Sequence, residues 1–221
     1  MTCRQLPRLD WAHQAAPQET TPTVQAGASV HDHHGFHARA AGADNLLAQT
    51  FTATRPNETW MTDITYIATA EGRLYLAGIK DLFTCEVVGH AMGGRMTTAV
   101  VIQALGAAVW AKRPRPGLIH HSDRGAQYCA QAYQQQLREF GLIPSMSRKG
   151  NCYDNAPMES FWGTLKTELV HHRRYATREQ ARREITEYIE LFYNRQRRHA
   201  KLGNRSPAAF AHQWARQQSA A

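Results

Sequence analysis

The chain has 221 residues, 43% of them hydrophobic, and a formal net charge of +8; that length suits one main core plus a small extra element. Its four cysteines (Cys3, Cys85, Cys129 and Cys152) are scattered with no CxxC spacing, which argues against a disulfide framework or structural zinc and fits a reducing cytoplasm. No apolar stretch is long enough to span a bilayer and no charged-then-apolar leader opens the chain, so a soluble intracellular protein is expected.

Residues 1–44 are rich in Ala, Gln, Thr and His, carry Pro7, Pro17 and Pro22, and lack periodicity. They read as a disordered or atypical N-terminal segment. His31, His33, His34 and His37 fit a flexible His-rich tract better than a metal site. From Thr59 the pattern sharpens. Residues 59–68 read as a strand, Ala70 to Arg73 as a turn, 74–81 as a second strand and 85–92 as a third, spaced for an antiparallel meander. Val101, Ile102, Leu105 and Val109 mark the buried face of a helix over 97–111, which Pro114 and Pro116 end. A short buried strand, Leu118 to His121, leads to a helix carrying Tyr133, Leu137 and Phe140. Residues 142–146 form a further strand. After the polar loop 147–156, Pro157 can open the next helix. A final long helix over 178–198 is expected to bury Ile185, Tyr188, Ile189, Phe192 and Tyr193, with Arg178, Arg182, Arg183, Arg195, Arg197 and Arg198 on its other face. The order describes a mixed sheet flanked by helices, a meander followed by crossovers. Residues 161–221 hold 12 Lys and Arg against 5 Asp and Glu, so most of the positive excess lies where a polyanion could be gripped.

Three acids stand out. Asp63 interrupts the apolar, β-branched strand WMTDITYI, where an aspartate needs a partner or a function. Asp123 follows a short buried strand directly, at the carboxyl end where open α/β sheets place their sites. Glu159 falls in the first turn of its helix, with Gly163 and Lys166 along the same face. Taken singly, each has a plainer reading: a solvent-facing edge position for Asp63, a turn or cap for Asp123, a complement to the helix dipole for Glu159. Together they form an all-carboxylate set that suits a hard divalent cation and would repel itself without one. Two such cations roughly 3.5–4 Å apart are the recurring apparatus of phosphodiester displacement. A hydrolase relay within His121, Ser122 and Asp123 is not expected, because neighbouring strand residues point in opposite directions. His120 and His121 suit packing or support of the site. Asp154, an alternative third acid, suits a turn before Pro157.

The stretches WMTDITYI (60–67), GLIHHSDRGAQY (117–128) and SMSRKGNCYDNAPMESFWGTLKTEL (145–169), with YNRQRRHAKLG (193–203) and SPAAF (206–210), resemble the catalytic core of insertion-sequence transposases of the third family, the second-reading-frame product, which belongs with the retroviral integrases. The resemblance runs from about Asn45 to about Trp214. It implies an α/β, RNase H-like fold: a three-strand antiparallel meander plus two parallel strands, flanked by helices. It divides the chain into the segment 1–44, an integrase-type core over 45–172, and a basic helical extension over 173–221 that packs on the core. It implies a catalytic, metal-binding triad of Asp63, Asp123 and Glu159 with two Mg2+ or Mn2+ ions. Lys166 matches the family's basic residue seven positions after the glutamate, which is associated with the DNA end. Arg124, Arg148 and Lys149 are the remaining candidate DNA contacts. The implied partners are DNA (element ends and target), further copies of the chain on that DNA, and a helix–turn–helix protein from an upstream frame, since residues 1–44 show no such pattern. The expected place of action is the cytoplasm, at the nucleoid. Cys85-Glu86, His90, Ala200-Lys201 and Asn204 depart from the family's pattern. The competing reading is a truncated, inactive or regulatory DNA-binding relic.

Overall fold

The structure is a computed structural model that describes residues 42–148 and 152–219. The expected N-terminal segment therefore lies outside the described residues, except for positions 42–44. Alternating β-branched and aromatic residues build β1 (Thr59–Thr69), β2 (Gly72–Asp81) and β3 (Val87–Gly93). These pair antiparallel in sequence order, which is the expected meander. β4 (Ile119–Ser122) and β5 (Ile143–Met146) add to the other side of β1 in parallel, giving the sheet order β3-β2-β1-β4-β5.

Helices cover both faces. On one face, α1 (Thr98–Lys112), the short α2 (Ala126–Cys129) and α3 (Gln131–Glu139) bury Val101, Leu105, Tyr128 and Leu137 against Trp60, Ala77 and Ile79. α1 lies so close that a Cβ on Gly89 of β3 would meet the Ala104 carbonyl at 2.6 Å. That closeness accounts for a bare backbone within a strand. On the other face, α4 (Ala156–Glu168) and α5 (Arg178–Glu187) bury Met158, Phe161, Trp162, Leu165 and Ile185 against Met61, Ile67, Leu74 and Leu76. Even and odd residues of β1 and β2 thus feed two different cores.

The C-terminal region departs from expectation in two ways. The anticipated helix over 178–198 passes at Tyr188 into a π-helical turn ending at Tyr193. The wider turn shifts the helical register, so Tyr188, Ile189 and Tyr193 stay buried while Phe192, expected in the core, is 41% exposed. A separate helix not foreseen in the sequence, α6 (Pro207–Ser219), follows; Phe210 and Trp214 from it pack on Phe83 at ring separations of 5.3 and 5.9 Å. The arginine face is also less free than expected. Arg178 donates to the Arg73 carbonyl, Arg182 to the Met92 carbonyl, and Arg197 to Glu168.

Two polar ties fix this region to the sheet and to α4. Glu168 accepts from the Tyr188 hydroxyl at 2.6 Å and from Arg197 at 2.8 Å. The buried Asn194 acts as a surrogate strand for β3: its Oδ1 accepts from the Val87 N–H at 2.9 Å, and its Nδ2 donates to the Val87 carbonyl at 3.0 Å. Because a buried backbone group left without a partner costs about 1–3 kcal/mol, Asn194→Ala should destabilise the fold by about 2–4 kcal/mol. Urea unfolding followed by circular dichroism measures this, and a midpoint equal to that of the wild type would contradict the role.

Candidate active site

β1 and β4 run parallel with a constant offset, Thr59 beside Ile119, Trp60 beside His120 and Met61 beside His121. Carried two residues further, that register brings Asp63 level with Asp123, on neighbouring strands whose usual spacing is about 4.8 Å. Asp123 leaves β4 at its carboxyl end, where its Oδ1 accepts from the Gly125 N–H at 2.9 Å. Tyr128 of α2, fully buried and hydrogen-bonded to Thr62 at 3.2 Å, feels the charge of both aspartates. Burial first, and those two carboxylates after it, raise its hydroxyl well above the ordinary tyrosine value.

Asp63 shares the strand face of Met61 and Ile67 and so looks toward α4. Its Oδ1 accepts from the Ile64 N–H at 2.8 Å and its Oδ2 from the Trp162 indole N–H at 2.9 Å. Burial pushes its carboxyl up to about 7, and the charges of Asp123 and Glu159 add to the rise against those two hydrogen bonds. Asp63 therefore feels the charge of both other acids. Glu159 stands exposed in the first turn of α4. Among the described residues no hydrogen bond or ion pair fixes its carboxyl, so it can turn. α4 itself is anchored by the buried Lys80, whose Nζ donates to the Pro157 carbonyl at 3.2 Å.

The donor set is all oxygen and the charges are uncompensated, which fits a hard divalent cation. Among the described residues no three His, Cys, Asp or Glu side chains are drawn into a cation cage, and Glu159 is exposed. The acids also lie outside the groove of about 610 Å³ lined by Arg55, Arg113, Arg115 and Trp214.

The other candidates sort themselves. Lys166 is half-buried on α4, its Nζ 5.7 Å from the Tyr66 ring centroid. Arg124 spans the loops, donating to the Ser147 carbonyl at 2.8 Å and the Ala43 carbonyl at 3.2 Å. Arg148 is engaged by Asp154 through its guanidinium at 3.1 Å and its backbone N–H at 2.8 Å. Those bonds hold the Asp154 carboxyl down at about 2, and Asp154, buried and also bonded to Asn45, serves the loop as expected. Lys149 lies outside the described residues. His120 shares a 2.6 Å hydrogen bond with Tyr133, and His121 bonds Ser145 and Ser147 at 2.8 and 3.2 Å. Burial lowers both imidazoles, and Ser122 donates to the Asp123 backbone carbonyl. No Ser-His-Asp relay is formed by these three.

Sequence reasoning missed Tyr128, Trp162 and Gly78. The last carried a signal: a glycine inside a strand marks close approach.

A five-stranded mixed sheet in this order, with acids on its central strands and one flanking helix, defines an RNase H-like, integrase-type catalytic core. The simian T-cell lymphotropic virus intasome structure superposes with a TM-score of 0.62 at 18% identity, over 72% of this chain and 56% of that one. The HTLV-2 integrase catalytic core domain in complex with magnesium does so at 0.57 and 15%, over 73% of this chain and all of that one. Models of the integrase core domain match residues 53–152 and 159–214. The chain is 62% identical over 168 residues to the insertion element IS600 31 kDa protein of Shigella sonnei, covering 76% of this chain and 62% of that protein. It is 46% identical over 178 residues to the IS904 transposase of Lactococcus lactis, covering 80% and 70%. It is 48% identical over 172 residues to transposase InsF of IS3fB from Escherichia coli K12, covering 77% and 59%. The chain belongs to the insertion-sequence transposases that carry an integrase core domain, alongside those of the IS3 elements. It spans about three fifths of the length of the IS600 and IS3 relatives.

A raised Asp63 carboxyl binds its proton more tightly in the folded state than at the ordinary value of 3.8. Metal-free protein should therefore be most stable, for this group, below about pH 4 and lose that contribution as pH rises to about 7. Between those limits the stability difference between the wild type and Asp63→Asn should move by on the order of 3–4 kcal/mol in the variant's favour. Denaturant unfolding of both proteins across that range in EDTA tests this; a difference independent of pH would contradict it.

Proposed function

We propose that this chain catalyses divalent-metal-dependent cleavage and transfer of DNA strands, integrating an insertion sequence, with Asp63, Asp123 and Glu159 as the metal-binding catalytic triad. The carrying observation is that half-buried Asp63 feels both Asp123 and Glu159, its carboxyl raised to about 7 by burial and by those two charges. Family membership supports the same reading, as does the magnesium in the solved HTLV-2 integrase core. Bound Mg2+ or Mn2+ would supply activation of the attacking water or 3′-hydroxyl and stabilisation of the leaving 3′-oxygen. The chain's own residues hold and orient. Asp63 from the central strand and Asp123 from the end of its neighbour offer hydrogen-bonded carboxylates, and Glu159 would close the set from α4. Phosphoryl transfer asks little beyond positioning and charge, so no side-chain nucleophile is needed.

Lys166, on the face of α4 that carries Glu159, is the proposed contact to the DNA end. Arg124 is a weaker candidate, as its guanidinium already ties two loops together. Arg148 would have to serve phosphate with what its bond to Asp154 leaves free, and Lys149 stands beside it in sequence. The core is taken as 45–172 and the basic extension as 173–221, with further copies of the chain acting on the same DNA. The integrase structures in trimeric and dimeric forms and as an intasome are consistent with that. An upstream-frame helix–turn–helix partner would supply recognition of the element's ends. No described helix is long and apolar enough to cross a membrane, and the nucleoid is the natural place for such a substrate.

Asp63→Asn, Asp123→Asn and Glu159→Gln should each lower strand cleavage of oligonucleotides bearing the element's ends by about a hundredfold or more, without loss of the native circular-dichroism spectrum. Near-wild-type nicking by any one of them in Mg2+ would remove that residue from the triad. Lys166→Ala should weaken binding of the same oligonucleotides and reduce the slope of log affinity against log salt by about one. An unchanged slope would exclude a phosphate contact.

A further inference from the structure

We propose that Trp162 is a positioning residue that locks the Asp63 carboxylate for cation binding, and that Gly78 is the clearance that allows it. The inference deepens the reading above and rests on Asp63 being a metal ligand. Asp63 and Gly78 face each other across the β1–β2 pair. A Cβ on Gly78 would lie 2.7 Å from Cη2 and 3.4 Å from Cζ2 of the Trp162 indole, far inside van der Waals contact. The Cζ2–Cη2 side of the indole therefore rests on bare β2 backbone, while Nε1, joined to Cζ2 through Cε2 on that same edge, donates to Asp63 Oδ2 at 2.9 Å. Phe161 backs the indole at a ring separation of 4.8 Å, and Trp162 is only 6% exposed. The ring has little room to move.

With Ile64 N–H on Oδ1 and Trp162 N–H on Oδ2, each oxygen of Asp63 keeps a lone pair for a cation but the carboxylate loses its freedom to rotate. Such preorganisation lowers the entropic cost of binding. The arrangement also links two members of the triad. Trp162 follows Glu159 by three residues and so lies one turn along α4; the helix that carries Glu159 also carries the donor to Asp63. The indole supplies both an apolar edge for β2 and an N–H donor beside it. Phenylalanine has the apolar edge alone.

The test measures Mn2+ binding to the full chain by the electron paramagnetic resonance of free Mn2+, alongside thermal unfolding and the dependence of cleavage rate on Mn2+. Trp162→Phe should weaken Mn2+ binding about tenfold, the equivalent of about 1.4 kcal/mol for a hydrogen bond to a charged group, and raise the Mn2+ needed for half-maximal cleavage in step. Its thermal midpoint should stay within about 5 °C of the wild type. Gly78→Ala should weaken Mn2+ binding to a similar extent by displacing the indole. Adding it to Trp162→Phe, whose smaller ring leaves room for the methyl, should weaken binding little further, a non-additivity that marks one shared path. Mn2+ affinity unchanged in both single variants, or strictly additive losses in the double variant, would overturn the proposal and leave Trp162 as core packing. Wild-type Mn2+ affinity in Asp63→Asn would instead remove the metal-ligand reading on which it stands.

Discussion

Like charges do not gather in a protein without compensation, and the site is organised around that constraint. The parallel register of β1 and β4 aligns Asp63 with Asp123, and α4 packs so that Trp162 reaches Asp63 on the central strand. The carboxyl of Asp63 bears the cost directly, raised to about 7 by burial and by the other two acids. A cation of two positive charges would remove both the repulsion and much of the desolvation penalty, so its binding would also complete the proposed site.

The fold supplies the rigidity this needs. Both faces of β1 are buried by different helices, and the strand that bears the acid is the central one of five. Lys80 secures the first turn of α4 through the Pro157 carbonyl, and Glu168 at its far end joins it to Tyr188 and Arg197. The helix that bears the third acid is thus tied at both ends, while Glu159 itself stays exposed. Two fixed carboxylates and one adjustable carboxylate would suit the proposed metal site, which would have to admit a DNA backbone from open surface.

Much of this was legible in the sequence because it rests on periodicity. Alternation marked β1 to β3, and apolar spacing marked α1, α3 and the start of α5. Asp63 stood out because an acid in an apolar strand contradicts its surroundings. Other features rest on contacts between distant segments and left no local trace. The π-turn that expels Phe192, the docking of α6 on Phe83, and Tyr128 beneath two aspartates are set by tertiary packing. In the sequence Arg148 reads as a candidate DNA contact and Asp154 as a turn residue; their bond depends on the turn that Cys152–Asn155 forms. Gly78 was readable only as a weak strand residue until the indole across from it gave it a reason.

The most direct examination of the central claim is a crystal structure of the chain soaked in Mn2+, with the ion located by anomalous scattering. The account predicts a peak about 2.1 Å from one oxygen each of Asp63 and Asp123, with the Glu159 carboxylate turned toward it. A peak bound elsewhere, or the two aspartate carboxylates held more than about 10 Å apart, would contradict it.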